Sequence, residues 1–316
     1  MTPAAPSPAG AHTAIGLDVG GTSARTGLVT TAGKLLFQAS ARTGLRASGQ
    51  ALLDRFRRCV GLALGFAQAR SISVAGIGIG MPGLVDEAGC VAGSCNLPSL
   101  NGVPVAQLLE KEFRLPVRME NDVSAGACGE YYFGGHRRSR RFLFLSIGTG
   151  VGGGMLVDGE MLRLTRGCLG DPGHIIVDAS GSLPCRCGGN GCLEAAASGW
   201  ALVERASPFG VETPKQLFDR ARAGPDPGAA LARIAQDAAA AVGVGLATFC
   251  VLLNPDTIVL GGGVATEAGE PFRAQAEQAM RRHAAPFFSQ DVRVLLTKAG
   301  PAAGLLGSAS LILFSR

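Results

Sequence analysis

The apolar positions of this chain fall into short runs that end on glycine, and two stretches repeat one design. Residues 14–36, "AIGLDVGGTSARTGLVTTAGKLL", read as an apolar strand running into Asp18, a Gly-Gly-Thr turn and a second strand, "RTGLV". A polar turn and a third strand, "KLLFQA", follow. Residues 142–162, "FLFLSIGTGVGGGMLVDGEML", give an apolar strand, a Gly-Thr-Gly turn, a second strand, a polar turn at Asp158-Gly159 and a third strand. Thr22 and Thr149 occupy equivalent places, so the pattern predicts an internal duplication.

The remaining runs alternate strand and helix. Residues 73–86, "SVAGIGIGMPGLVD", predict a buried strand ending in a Gly/Pro loop. Residues 115–134 predict a strand, the polar triplet Glu120-Asn121-Asp122 and a helix of small residues. Residues 257–265, "TIVLGGGVA", predict a strand, a glycine cluster and the start of a helix; long and short helices are expected over 228–253 and 304–314. This alternation predicts an α/β protein with parallel or mixed sheets and helices on both faces. Ligands of such folds bind beyond the strand ends, where Asp18, Pro82-Gly83, Asn121-Asp122 and Thr149 fall.

Composition narrows the picture. The chain has 316 residues, 47% hydrophobic and 17% charged, enough for two packed domains. Its net charge of +5 is modest, and the one dense basic run, 136–141, reads as a solvated loop, so a nucleic-acid surface is not favoured. The first twelve residues read as a flexible tail rather than a signal peptide. The apolar stretch 238–253 is too short and too rich in Gly, Thr and Cys for a good membrane span. A soluble cytoplasmic protein with reduced thiols is the expectation, with no membrane partner.

The glycine turns suggest phosphate. Glycine lets backbone amides approach an anion closely, and threonine adds a hydroxyl donor. Gly20, Gly21 and Thr22 form one such turn; Thr149 and Gly150 belong to the other. Gly262 and Gly263, between a strand and a helix, suit a nucleotide lying against backbone. The P-loop pattern is absent.

Nine cysteines include six with no framework spacing, at 59, 90, 95, 128, 168 and 250, which read as small buried residues. "CRCGGNGCLE", 185–194, differs, because three cysteines fall within eight residues. Reducing conditions and a strained ring disfavour a Cys185–Cys187 bridge. With His174 eleven residues upstream, Cys185, Cys187 and Cys192 complete a closed Cys3His set, which points to structural zinc. The other reading is three buried, unligated thiols.

In this order, "LDVGGT", "ENDVSAGACGE", "SIGTGVGGG" and His174 with "CRCGGNGCLE" resemble the ROK family (repressors, unannotated reading frames and sugar kinases), a branch of the sugar kinase/actin-like superfamily. The resemblance runs from about residue 14 to near the end. It implies a duplicated actin-like, ribonuclease H-like fold of two lobes with a central cleft. The small lobe would comprise 13–122 with 304–316, and the large lobe 123–303 with the zinc knuckle. The implied activity is ATP-dependent phosphorylation of a hexose, most simply glucose, with Mg²⁺. Asp122 would be the general base, against the plainer role of a helix N-cap. Asp18 would help hold hydrated Mg²⁺. Gly83, Asn96, Asn121, Asp122, His174 and Glu194 would contact sugar. A homodimer or higher homo-oligomer is also implied.

The chain departs from the family pattern in three places. Asp171 stands where G-E-x-G-H has Glu, Leu100 where many members have Trp, and Ser23 where Lys or Asn is common. The shorter Asp171 can still bind sugar or change which hexose fits. A kinase for N-acetylmannosamine, another amino sugar or fructose, and a sugar sensor without catalysis, are the competing readings. A DNA-binding repressor would need a helix-turn-helix ahead of the first strand.

Overall fold

A computed structural model describes residues 13–44, 47–86, 88–94, 96–163, 171–223 and 228–315. The tail 1–12, Cys95 and Cys168 lie outside the described residues. Two compact units form: Met1–Arg138 with Met161–Gly170 and Lys298–Arg316, and Ser139–Glu160 with Asp171–Thr297, each as far as it is described. Elements are numbered in chain order.

In the first unit, β1 (Thr13–Val19), β2 (Ser23–Thr30), β3 (Leu35–Arg42), β4 (Ile77–Met81) and β7 (Val117–Asn121) form a sheet in the order β3-β2-β1-β4-β7. The hairpin strands are antiparallel, while β4 and β7 continue parallel to β1. A short ribbon of β5 (Leu84–Val85) and β6 (Val91–Gly93), with α2 (Val105–Phe113), lies between β4 and β7 in the chain.

Period-2 patterning explains the two faces. Ile15, Leu17, Ile77 and Ile79 join a core with Leu52 and Phe56 of α1 (Gly49–Gln68). The alternating positions Gly16, Gly78 and Gly80 face α10 (Ala303–Leu313) instead. A Cβ on Gly78 would lie 1.8 Å from the Ser308 carbonyl oxygen, so the helix backbone rests directly on the strand. Ser308 Oγ accepts a hydrogen bond from the Gly80 amide at 3.1 Å. Gly307 of α10 and Gly129 of α3 (Asp122–Phe133) meet as closely, a Cβ on Gly129 falling 2.7 Å from the Gly307 amide nitrogen.

The second unit repeats the topology. β8 (Arg141–Ile147), β9 (Val151–Val157), β10 (Glu160–Met161), β11 (Thr257–Gly261) and β12 (Arg293–Leu296) run in the order β10-β9-β8-β11-β12. Again the first two strands are antiparallel and the last two parallel to the first. The duplication expected from the hairpins is thus present in both sheets, and the fold is the duplicated actin-like one. Between β10 and β11 lie the knuckle, α4 (Leu193–Ala197), α5 (Gly199–Ala206), α6 (Pro214–Ala223) and α7 (Gly228–Leu253). The last is long and apolar enough to cross a membrane by composition, yet here it packs against α4, α6 and α8 (Gly262–His283). The short α9 (Pro286–Ser289) precedes β12. Helix α8 breaks at Gly269, whose φ of 70° precedes the helix-incompatible Pro271 by two residues.

The close packing makes opposite predictions for different glycines. Gly78→Ala should lower unfolding free energy by about 1–3 kcal/mol through overpacking. Gly61→Ala, in α1 with open space at its Cβ, should raise it by about 0.5–1 kcal/mol. Denaturant unfolding of both variants checks the contrast.

Candidate active site

The first unit gathers carboxylates at the ends of β1 and β7. Asn121 closes β7 and caps α3: its Oδ1 accepts from the Val123 and Ser124 amides at 2.9 and 3.2 Å. Its Nδ2 donates to the Gly83 carbonyl at 2.9 Å. One side chain therefore starts the helix and ties the Gly/Pro loop to it. Gly83 has φ 108°, and a Cβ there would fall 2.2 Å from the Gly93 carbonyl, so glycine is required. Asn96 lies exposed just beyond this contact.

Because Asn121 is the cap, Asp122 is not needed as one. It is the first residue of α3, and burial pushes its carboxyl up to about 6, with the nearby Asp18 charge adding to the rise. The Val123 amide, 3.0 Å from Oδ1, opposes it. Such a group ionises near neutrality and accepts a proton readily.

Asp18 sits at the end of β1, directly opposite Arg25 in the hairpin register. Arg25 donates to Oδ2 from Nε at 3.1 Å and Nη2 at 2.5 Å. Behind the carboxylate lies Gly304 of α10, where a Cβ would stand 2.3 Å from Oδ2. The turn Gly20–Thr22 is closed by the Gly20 amide on the Ser23 carbonyl at 2.8 Å and by Thr43 Oγ1 on the Gly20 carbonyl at 3.0 Å. Glu120, next to Asn121, is buried, and Arg163 neutralises it from Nη2 at 2.7 Å. Arg25, Gly304 and Arg163 were missed in the sequence. Only Arg25 carried a signal, since a hairpin turning at 20–22 pairs it with Asp18.

In the second unit the knuckle is built mostly from backbone turns. Asp178 accepts from the amides and hydroxyls of Ser180 and Ser182, which hold its carboxyl down at about 2. The Cys185 amide donates to the Gly189 carbonyl at 2.9 Å, and Ile176 bridges Cys192. The ligating atoms of His174, Cys185, Cys187 and Cys192 all lie within 4.8 Å of one another. Cys187 Sγ to Cys192 Sγ is 3.8 Å, and Cys185 Sγ to His174 Nδ1 is 3.7 Å. Donors at zinc's usual bond lengths sit about 3.5–3.8 Å apart on a tetrahedron, so the set fits that ion. Nδ1 faces the sulfurs, and Nε2 points to the Asp171 carboxylate, 3.5 Å away.

Cys192 is also the N-cap residue of α4, which sends Glu194 from the knuckle onto the second glycine turn. Its Oε2 accepts from the Val151 amide at 2.9 Å and packs on Gly150; Trp200 Nε1 is 3.4 Å from Oε1. Beside this turn lies a cavity of about 790 Å³, lined by Gly148, Thr149, Trp200, Pro214, Gly263 and Val264 among others. Two glycine clusters far apart in the chain therefore meet. Gly262, at φ 83°, has no room for a Cβ against the Ile147 backbone.

The chain is similar to known proteins over nearly its whole length. The sequence profile of the ROK family matches residues 14–314. A glucokinase of Thermotoga maritima is 32% identical, covering 94% of this chain and 96% of that protein. A xylose repressor of Caldicellulosiruptor bescii is 27% identical over 95% of this chain and 77% of its own length. Among solved structures, a ROK hexokinase from Thermus thermophilus aligns with TM-score 0.82 at 31% identity, over 96% of this chain and 98% of its own. A ROK glucokinase from Streptomyces griseus, in complex with glucose and AMPPNP, gives 0.78 at 30%, over 96% and 100%.

The donor geometry predicts one tightly held divalent ion per chain. Elemental analysis should find one zinc, and a strong chelator should release it and lower the melting temperature. A metal-free protein with an unchanged melting curve would overturn the assignment.

Proposed function

The chain belongs to the ROK family, and on that premise we propose that it is an ATP-dependent hexose kinase. It transfers the γ-phosphoryl group of MgATP to the 6-hydroxyl of a hexose, glucose being the favoured substrate. The observation that carries this reading is Asp122: a carboxyl relieved of capping duty by Asn121, half-buried, and raised to about 6 beside a second carboxylate.

In this reading Asp122 orients the attacking hydroxyl and accepts its proton as the new O–P bond forms. A hydroxyl is a weak nucleophile, so the base acts late, and its position matters as much as its affinity for the proton. Arg25 occupies Oδ2 of Asp18, leaving Oδ1 to face the water shell of the magnesium that ATP brings. The Gly20–Thr22 and Thr149–Gly150 turns supply amides and hydroxyls to phosphate oxygens. The cavity of about 790 Å³ has the size of a nucleotide pocket and apolar walls at Trp200, Pro214 and Val264. Gly262 and Gly263 lend it backbone.

Gly83, Asn96, Asn121, His174 and Glu194 would serve the sugar, whose hydroxyls both donate and accept. Zinc, once bound at His174, Cys185, Cys187 and Cys192, supplies no chemistry beyond holding these donors. His174 keeps Nε2 available to a partner other than the metal, and Asp171 stands at that nitrogen. The short Asp171 makes the choice of hexose the open variable. We assign the protein to the cytoplasm, where its substrates and reduced thiols belong.

A coupled ADP-release assay with MgATP against glucose, mannose, fructose, N-acetylglucosamine and N-acetylmannosamine tests the reading. Turnover is expected with glucose, and Asp122→Asn should lower kcat about 10²–10⁴-fold while hexose binding persists. Silence across the panel in zinc-loaded protein would favour a sugar sensor. The pH profile gives a second check. Asp122 must be ionised, so kcat/KM should fall about tenfold per unit as pH drops below about 6.

Stability should run the other way. With a folded value of about 6 against 3.8 unfolded, the native state binds the extra proton between these pH values and loses stability as pH rises through them. Asp122→Asn should therefore melt higher than the parent above pH 6 and converge with it towards pH 4.

A further inference from the structure

Arg186 lies between two of the knuckle's cysteines, where the sequence offers no role for a cation. Its guanidinium carbon sits 4.3 Å from the centroid of the Trp200 ring, a cation–π contact. No carboxylate pairs with it among the described residues. Both side chains line the cavity that also contains Thr149 and Gly263. The other cation there, Lys215, is held by Asp219 at 2.6 Å. Arg186 is thus an exposed cation without an ion pair, on a wall that also carries Glu204 and Glu267, and an aromatic face fixes its direction.

We propose that Arg186 binds a phosphate group of the nucleotide in this cavity, so that zinc at the knuckle and nucleotide in the pocket bind cooperatively. The inference rests on the kinase reading and adds to it a residue and a linkage. A planar guanidinium matches phosphate oxygens with two parallel N–H donors, and its stacking leaves those edge donors available. The neighbouring Cys185 and Cys187 belong to the metal's donor set, so loading that set orders the backbone carrying Arg186. A second contact runs the same way: Glu194, two residues after Cys192, holds the Val151 amide of the phosphate turn. Ordering paid for by one ligand is then already present for the other. Linkage requires the effect to be reciprocal.

Trp200 is the only tryptophan in the chain and reports on its own pocket. Zinc-loaded protein, Arg186→Ala and Arg186→Lys are titrated with MgADP and with adenosine, followed by its fluorescence. Zinc content and melting temperature of each variant establish that the knuckle is intact. Arg186→Ala should bind MgADP about tenfold more weakly, the effect of one charge-assisted hydrogen bond, with adenosine affinity within about twofold. Arg186→Lys should recover part of the loss. Equal MgADP affinity in parent and Arg186→Ala would overturn the proposal, as would equal weakening of adenosine and MgADP, which would mean that Arg186 only positions Trp200. A parent protein that binds no MgADP would overturn the kinase reading itself. For the linkage, MgADP should slow zinc release to a chelator at least fivefold in the parent, a modest coupling, and less in Arg186→Ala. No slowing in the parent would sink the coupling.

Discussion

The first unit depends on the approach of α10 to the face of its sheet. Ordinary helix–sheet packing interposes side chains, but here the helix backbone lies on Gly16 and Gly78 and against Gly129. Removing every Cβ from the contact brings three groups into one place. The Gly80 amide reaches Ser308 Oγ, Gly304 backs the Asp18 carboxylate, and α3 is held so that its first residue, Asp122, stands near Asp18. Burial of Asp122 is a consequence of this closeness, and so is its raised proton affinity. The same packing costs stability, because a carboxylate is withdrawn from water without a cation to balance it. Asp18 avoids that cost through Arg25; Asp122 does not.

The second unit reaches comparable order by other means. Between Asp178 and Cys192 the chain is glycine-rich and Leu183 is its one large apolar residue, so it has little surface to bury. Turns hold it instead: Asp178 collects four donors, and Gly188 and Gly191 adopt φ of 91° and 77°. Four soft donors then converge within 4.8 Å. A metal bound at that point would take the place of a hydrophobic core as the organising element. Its order would pass along α4 to Glu194, which holds the Val151 amide of the second glycine turn.

Much of this was legible in the sequence, and the limits are physical. Repeated hairpins are local patterns, so the duplicated topology followed from 14–36 and 142–162 alone. The knuckle was legible because four ligands of two rare types, cysteine and histidine, fall over a short span. The large-then-glycine alternation in "IGLD" and "IGIG" identified strands, yet not what lay on the glycine face. That required knowing that the last helix returns to the first sheet, some 290 residues later in the chain. Arg163 on Glu120 and Gly304 on Asp18 are hidden for the same reason: each pair is made by long-range packing and has no spacing to read. Asp122 was read with capping as its plainer role, and the choice turned on one residue. Asn121 has the side chain that reaches Val123 and Ser124, so the structure gives it the cap.

The duplicated sheets also explain why their turns are not interchangeable. In register, Asp18 of β1 lies beside Gly80 of β4, and Ser146 of β8 beside Gly261 of β11. Both parallel strands lead into a glycine of positive φ, Gly83 in one unit and Gly262 in the other. The backbone device is the same, namely a strand end opened by a residue without a Cβ. The charge differs. A carboxylate stands at 18, whereas a serine at 146 leaves the second turn neutral, with its amides and Thr149 as donors; in the proposed kinase reading the first suits a cation and the second an anion. The repeats thus share a backbone device and differ in charge at its end, while the cation Arg186 comes from the inserted knuckle rather than from either repeat.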